Sequence, residues 1–580
     1  MPPILRVEGL TFRYPTRRRP ALQGVSFAVE PGETLLVLGP SGSGKSTLAL
    51  ALNGLVPQAI AGDFAGRVTV AGLETRTAPL SRLTQRVGLV FQDPEAQFCL
   101  LTVADEVAFG LENLAVPPAE MDARIDRALQ QVGLLAYRQA RLDRLSGGQK
   151  QRLALACVLA MEPEILVFDE PTAHLDPAGA LALFADLARL KATGRTLVII
   201  EHRLDALMPL VDRVLVLAPT GQVLAWGEPR AVFRDHWSTL QRLGLWLPQV
   251  SALGAALAER GRLLTPFPLT VAEAEAALAP LLRARPVSPT DGPARPPALR
   301  PAGEPVITVR RLTYAYPGGA PVLSALDLTV RAGDFLAIVG ANGAGKSTLA
   351  RLMAGLLVPP PGTVFLGGDD LARLAPRQIA RRVGYVFQNP EHQFLTATVF
   401  DEVAFGLRQL RLPRAEVERR TWALLERLGL APLARAHPFA LSQGEKRRLS
   451  VATALVLEPE VLILDEPTFG QDYGQSERLL GELQALNQQG RTVVVITHDM
   501  GIVAAYARRV AVLAGGRLLF DGPPAALFAQ PDRLRQAALV PPPLVELSQR
   551  LAATGPWPPV CATIDQFLAW LEPALSERVP

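Results

Sequence analysis

Two nine-residue stretches, GPSGSGKST at 39–47 and GANGAGKST at 340–348, constrain this chain more than any other feature, because each brings its whole neighbourhood with it. RVGLVFQDPEAQF at 86–98 returns as RVGYVFQNPEHQF at 382–394, and TVADEVAFGLENL at 102–114 as TVFDEVAFGLRQL at 398–410. LSGGQ at 145–149 returns as LSQGE at 441–445, and ILVFDEPT at 165–172 as VLILDEPT at 461–468. From Gln92 to His202 the spacing is a constant 296 residues, whereas Lys45 and Lys346 are 301 apart. The first half therefore holds five extra residues between its first two motifs, placed around VPQAIAGDFAG. A period near 300 is far beyond any solenoid repeat. The 580 residues are expected to form two homologous globular domains in one chain.

The expected boundaries are 1–235 and 304–530 for the two domains, each followed by a small helical extension (236–283 and 531–580). The stretch 284–303 is proline-rich and resists both helix and sheet, so it is expected to be an extended linker. The extensions echo each other: Leu253, Leu257 and Gly261 match Leu547, Leu551 and Gly555. They either cap their own cores or stabilise a dimer, and the pattern alone leaves both open.

Composition excludes several classes. No uninterrupted apolar run approaches the roughly 18 residues of a membrane span. The first residues, MPPILRVEGLTFRYP, lack the basic-then-apolar layout of a signal peptide, so a soluble, unexported protein is expected. A net charge of +4, from 59 basic against 55 acidic residues, gives no electrostatic case for nucleic acid. Cys99, Cys157 and Cys561 share no metal or redox spacing and are expected to be buried fillers.

The motifs themselves carry phosphate chemistry. TLLVLGPSGSGKSTLALAL and FLAIVGANGAGKSTLARLM have the form strand, glycine-rich turn, helix. Such a loop points its backbone N–H groups inward at phosphates, and the following helix adds a favourable field. The two loops comprise Gly39, Pro40, Ser41, Gly42, Ser43, Gly44, Lys45, Ser46 and Thr47, then Gly340, Ala341, Asn342, Gly343, Ala344, Gly345, Lys346, Ser347 and Thr348. Lys45 and Lys346 can reach the β- and γ-phosphates of ATP, and Ser46 and Ser347 offer hydroxyls to Mg2+. ILVFDE and VLILDE predict buried parallel strands that deliver Asp169 and Asp465 toward Mg2+ and Glu170 and Glu466 toward the attacking water. TLVIIEHR and TVVVITHD add one strand each, ending in His202 and His498, both 32 residues after their glutamates.

Together these residues resemble the nucleotide-binding domain of ABC ATPases. The resemblance implies an α/β fold: two tandem P-loop cores with a parallel sheet, an antiparallel β subdomain and a helical signature subdomain. It implies an Mg2+-dependent ATPase. It assigns Gln92 and Gln388 to the metal site, and Ser146, Gly147, Gly148 and Gln149 with Ser442, Gln443, Gly444 and Glu445 to the signatures. It makes Tyr14 and Tyr316 adenine-stacking aromatics, and Asp176 and Asp472 the D-loop acids. Two such domains face head to tail in the family, each ATP lying between one Walker A loop and the opposite signature.

The wording FQDPEAQFCLLTVADEVAFG and FQNPEHQFLTATVFDEVAFG is similar to the ATPases of energy-coupling-factor importers, which take up vitamins or transition metals. That likeness implies a peripheral position on the cytoplasmic face of the membrane, partnered with a membrane-embedded coupling subunit and a substrate-binding membrane subunit. One chain would supply both ATPase domains. Asp105 and Glu106, like Asp401 and Glu402, sit at a helix start with apolar residues behind. They suit a basic amphipathic partner helix, or else pack the domain's own helical lobe. The rival class is a soluble twin-domain ATPase acting on ribosomes or nucleic acid. The short proline-rich linker and balanced charge weigh against it.

Overall fold

A computed structural model describes residues 2–173, 175–283, 303–468, 471, 473–553 and 560–575. The chain divides into two compact units, Met1–Leu278 and Ala279–Pro580.

In the first unit the strands are β1 (Leu5–Arg13), β2 (Leu22–Val29), β3 (Thr34–Leu38), β4 (Asp63–Val70), β5 (Leu73–Glu74), β6 (Val87–Val90), β7 (Ile165–Asp169), β8 (Thr196–Ile200), β9 (Arg213–Leu217) and β10 (Val223–Gly227). They make two sheets, an antiparallel one in the order β2-β1-β4-β5 and a six-stranded one in the order β10-β9-β3-β8-β7-β6. β3, β7 and β8 are buried at every residue, as their unbroken apolar runs require of central parallel strands covered on both faces. β1 and β2 show only intermittent burial, as one-sided antiparallel strands do.

The second unit repeats this plan with β11 (Pro305–Ala315), β12 (Pro321–Arg331), β13 (Phe335–Val339), β14 (Val364–Leu366), β15 (Asp369–Asp370), β16 (Val383–Val386), β17 (Val461–Asp465), β18 (Thr492–Ile496), β19 (Arg509–Ala514) and β20 (Arg517–Gly522). Its sheets run β12-β11-β14-β15 and β16-β17-β18-β13-β19-β20. One difference is large. β4 has 8 residues and pairs with β1 from Leu5↔Val70 to Arg13↔Asp63, whereas β14 has 3 and pairs only from Ile307↔Leu366 to Val309↔Val364. The extra residues of the first half are thus spent on the short helix Leu55–Gln58 and a longer strand.

A helical lobe follows the edge strand in each unit. In the first it comprises Val103–Asn113, Pro118–Gln131 and Gly147–Ala160, which bury Val107, Leu111, Leu129 and Leu153 together. In the second, Val399–Gln409, Arg414–Arg427 and Gln443–Leu455 bury Val403, Leu407, Leu425 and Leu449. Each such leucine contributes about 2 kcal/mol through removal from water.

The expected 235/236 boundary falls inside a continuous helix, Pro229–Arg242, because Val232, Phe233 and Leu240 keep one apolar face across it. Beyond it lie Gln249–Glu259 and Val271–Arg283, and in the second unit Pro531–Gln536, Pro543–Ala552 and Ile564–Leu575. Leu253, Leu257, Leu547 and Leu551 are all buried. Gly555 and the linker 284–302 lie outside the described residues. The cysteine expectation fails at one position: Cys561 is buried and Cys157 half-buried, but Cys99 is exposed in the loop before the helical lobe.

Candidate functional site

Each glycine-rich loop leaves the carboxyl end of the central strand, β3 or β13, and enters a helix, Lys45–Leu52 or Lys346–Met353. Gly44 and Gly345 precede those helices with φ of 95° and 94°, a left-handed conformation in which side chains are strained. A Cβ on Gly44 would also fall 2.3 Å from the Ala21 carbonyl oxygen. Neither helix start has a side-chain cap, and its first amides point where an anion would be held. Lys45 Nζ donates to the Gly39 and Pro40 carbonyls at 2.8 and 3.2 Å. Lys346 Nζ donates likewise to Gly340 and Ala341 at 2.8 and 2.9 Å. Both ammonium groups are thereby folded over the loop. The rest of each run (Ser41, Gly42, Ser43, Thr47 and Asn342, Gly343, Ala344, Thr348) completes the same turn.

The tyrosines meet the loops from the antiparallel sheet. Tyr14 and Thr47 hydroxyls are 3.1 Å apart, and Tyr316 and Thr348 hydroxyls 3.2 Å apart. Tyr316 is 38% exposed, so one ring face is open to a flat ligand.

The acids arrive at the same edge on β7 and β17. Ser347 Oγ donates to Asp465 Oδ1 at 3.1 Å, and Ser46 bonds Asp169 in the same way. Burial pushes the Asp169 carboxyl up to about 6, with Ser46 pulling the other way. A hydroxyl and a carboxylate side by side are hard oxygen donors, and Mg2+ takes few protein ligands beside phosphate and water. The pair fits that ion, which when bound would supply positive charge against the phosphates.

Glu170 and Glu466 follow with φ of 48° and 46°, so both glutamates sit in strained left-handed backbone. In the first unit Glu170 accepts from Gln92 Nε2 at 2.8 Å and from His202 Nε2 at 3.0 Å. Burial works to raise its carboxyl, but the bond and charge of His202 and the charge of Lys45 outweigh it, and the net shift is downward. An ionised Glu170 beside a histidine can orient and polarise a water. In the second unit His498 Nδ1 donates to Glu466 Oε1 at 2.7 Å.

The signatures lie at helix starts. Ser146 caps Gly147–Ala160 by accepting from Gln149 N–H, while Gln149 Oε1 accepts from Ser146 N–H at 2.8 Å. At the LSQGE copy, Ser442 N–H and Oγ both donate to Glu445 Oε2, at 2.8 and 2.7 Å. Gln443 is the first residue of its helix in ordinary backbone, so replacing glycine there strains nothing. A Cβ on Gly444 would fall 2.0 Å from Gln475 Oε1, the mobile end of a side chain that would have to move aside. Gly148 shows only ordinary contact, with Leu175. Asp176 caps Pro177–Ala192 by accepting from Gly179 N–H at 2.8 Å. Asp472 lies outside the described residues.

A family model described as ABC transporter matches residues 22–173 and again 323–469, more than half of the chain. The chain belongs to the ABC transporter ATP-binding proteins. It is accordingly an ATPase whose ATP hydrolysis is coupled to transport. Two curated ABC relatives span nearly all of it. "Putative HMP/thiamine import ATP-binding protein YkoD" of Bacillus subtilis is 42% identical over 93% of this chain and 95% of its own. "Putative ABC transporter ATP-binding protein" of Methanosarcina acetivorans is 38% identical over 99% and 95%. A solved structure, cbiO1 of Clostridium perfringens, described as part of the ABC transporter complex cbiONQ, is 32% identical and covers 43% of this chain and 98% of itself. Its TM-score of 0.37 carries no argument.

Four features of this ABC ATPase escape sequence reasoning. Glu201, 3% exposed, accepts from Thr172 Oγ1 at 2.8 Å and from His202 N–H at 2.7 Å, tying the two edge loops of the first unit; Thr497 stands there in the second. Tyr385 donates to Asp465 Oδ2 at 3.0 Å and lies beside Arg351, where the first unit has Leu89 and Leu50. Arg447, 2% exposed, occupies the place of Gln151. Finally, Glu106 and Glu402 are each 4% exposed and do not face outward. Glu106 accepts from the Cys99 and Leu100 amides at 3.0 and 2.7 Å, and Glu402 from Leu395 and Thr396 at 2.9 and 2.7 Å. The expectation that they greet a basic partner is therefore corrected: they hold their own loops. Only Asp105 and Asp401 of those four acids are accessible.

Proposed function

We propose that the protein is the energy-coupling ATPase of an importer for a vitamin or transition-metal ion, closing and opening an intramolecular two-site ATP sandwich. The carrying observation is that both units own a full constellation: loop lysine, serine–aspartate pair, and glutamate bonded to a histidine. YkoD, named for HMP/thiamine import, matches this double arrangement over 93% of the chain, which favours an importer. Each ATP would lie on one unit's loop with Mg2+ on Ser46–Asp169 or Ser347–Asp465, and with Gln92 or Gln388 completing the metal's surroundings. Tyr14 and Tyr316 would stack on adenine. Glu170 with His202, and Glu466 with His498, would orient water for in-line attack. Ser442 and Gly444 would serve the nucleotide on Lys45, and Ser146 and Gly148 the one on Lys346, with Asp176 and Asp472 at the seam.

A membrane-embedded coupling subunit, itself joined to a substrate-binding membrane subunit, would dock beside the glutamine segments on the cytoplasmic face. In the second unit that region holds a groove of about 330 Å3 lined by Leu356, Ile379, Phe387, Gln393 and Leu457, with Leu356 48% exposed. Among the described residues no helix is long and apolar enough to cross a membrane. Purification from native membranes in mild detergent tests the reading. It should recover a multi-span membrane protein; recovery with ribosomes and no membrane partner would overturn it. In Mg-ATP, a Glu170→Gln, Glu466→Gln chain should compact by small-angle scattering while staying monomeric.

A further inference from the structure

The two units differ in how the glutamine segment is joined to the signature helix. Both share one ion pair: Lys150 with Glu95 in the first, and Lys446 with Glu391 at 2.6 Å in the second. The second unit adds two ties. Arg447, on the signature helix Gln443–Leu455, donates to the Phe387 carbonyl at 2.6 Å and to the Gln388 carbonyl at 2.5 Å. Gln393 Nε2 donates to the Ser450 carbonyl at 2.9 Å and to Thr453 Oγ1 at 2.6 Å. The first unit has Gln151 in the place of Arg447, and its buried Nε2 has no partner among the described residues. Ala154 and Cys157 replace Ser450 and Thr453, and Gln97 turns back to accept from Phe91 N–H at 3.4 Å.

A guanidinium this deeply buried is stable only while its donors are occupied. Its planar fork donates through two separate nitrogens to two successive carbonyls, one of them Gln388's own. Burial pulls the Arg447 group down to about 10, against the charges of Asp465 and Glu466, so it stays cationic near neutrality.

We propose that Arg447 is a positioning residue that locks the Gln388 segment to the signature helix of the second unit, so that the two shift as one body. The corresponding parts of the first unit keep the Lys150–Glu95 pair but lack these two further ties. That this body links the nucleotide on Lys346, sensed through Gln388, to the nucleotide on Lys45, met by Ser442, rests on the two-site reading above. Coupling of this kind is reciprocal between the sites.

The full chain carrying Arg447→Gln or Arg447→Lys is compared with wild type by amide hydrogen exchange without nucleotide, and by steady-state ATP hydrolysis. Arg447→Gln should speed exchange across 386–394 by about tenfold and leave 90–98 unchanged, as loss of a buried charged tie predicts. It should lower kcat about tenfold while KM for ATP moves less than about threefold. Arg447→Lys should change both readings in the same direction by less, because an ammonium keeps the charge but loses the fixed two-nitrogen fork. Wild-type exchange across 386–394 would overturn the lock, and so would faster exchange with kcat unchanged, which marks a merely local tie. If Arg447→Gln does not fold, Arg447→Lys decides by the same two readings. Exchange without nucleotide tests the lock alone, whereas scattering of the doubly substituted chain tests the sandwich, so the two readings fail separately.

Discussion

Ser442 gives its hydroxyl proton to Glu445 Oε2 at 2.7 Å, whereas Ser146 accepts at its hydroxyl from the Gln149 amide and keeps its proton for another partner. A signature serine is useful to a phosphate only as a donor. At the LSQGE copy that donor is already engaged by a carboxylate, and the same carboxylate would repel the phosphate. Glu445→Gln should therefore raise turnover by about two- to tenfold, or about 0.4–1.4 kcal/mol, the scale of one hydrogen bond. A fall in turnover would show that Glu445 assists the site. Gln443→Gly should change turnover less than about tenfold, since Gln443 already has helical backbone.

Both glutamates are bonded to their histidines, at 3.0 Å for Glu170 and 2.7 Å for Glu466. Each should be required for its own nucleotide. With the two sites turning over as one unit, Glu170→Gln and Glu466→Gln are each expected to lower steady-state hydrolysis by about a hundredfold, the usual scale for a positioned base. Wild-type turnover in Glu170→Gln would mean that the LSQGE-completed site is silent.

Glu106 and Glu402 are structural. Removing either leaves two amides without their acceptor, so Glu106→Ala and Glu402→Ala should each cost about 2–3 kcal/mol in urea unfolding. Asp105→Lys and Asp401→Lys should behave oppositely, folding normally and binding ATP while losing membrane-partner recovery. If the aspartate variants keep the partner, the docking face lies elsewhere.

Tyr385 holds one oxygen of Asp465 and Ser347 the other, at 3.0 and 3.1 Å. Losing the phenol leaves the carboxylate less well oriented for Mg2+. Tyr385→Phe should raise the Mg2+ concentration for half-maximal ATP binding about fivefold, equivalent to one hydrogen bond of about 1 kcal/mol. Isothermal titration in a Lys45→Ala background isolates the second unit for this measurement. An unchanged Mg2+ requirement would remove Tyr385 from the site.

The repeat made much of this legible. Strand, glycine loop, lysine and the acidic strand end are each local in sequence, and their second copies exposed them to direct comparison. What stayed hidden depends on which side of an element faces inward. KQRL and KRRL differ by one more basic residue in a run that reads as solvated, and only the seating of the signature helix turns Arg447 toward the Gln388 carbonyls. Glu106 looks like an exposed acid at a helix start until the preceding loop folds back over it. Glu201 is one carboxylate in an apolar run, and its four backbone and hydroxyl donors come from segments about thirty residues upstream and immediately downstream.

The unequal fourth strands bear on how a duplicated chain avoids confusing its halves. Two nearly identical sheets on one polypeptide invite a strand of one to dock in the other while both are still open. β4, with 8 residues, would overhang the place that β14 fills with 3, and β14 would leave most of β1 bare. An exchange would therefore abandon ladder bonds at both ends, and register is strongly fixed where one face is buried. The mismatch would penalise any such exchange during folding.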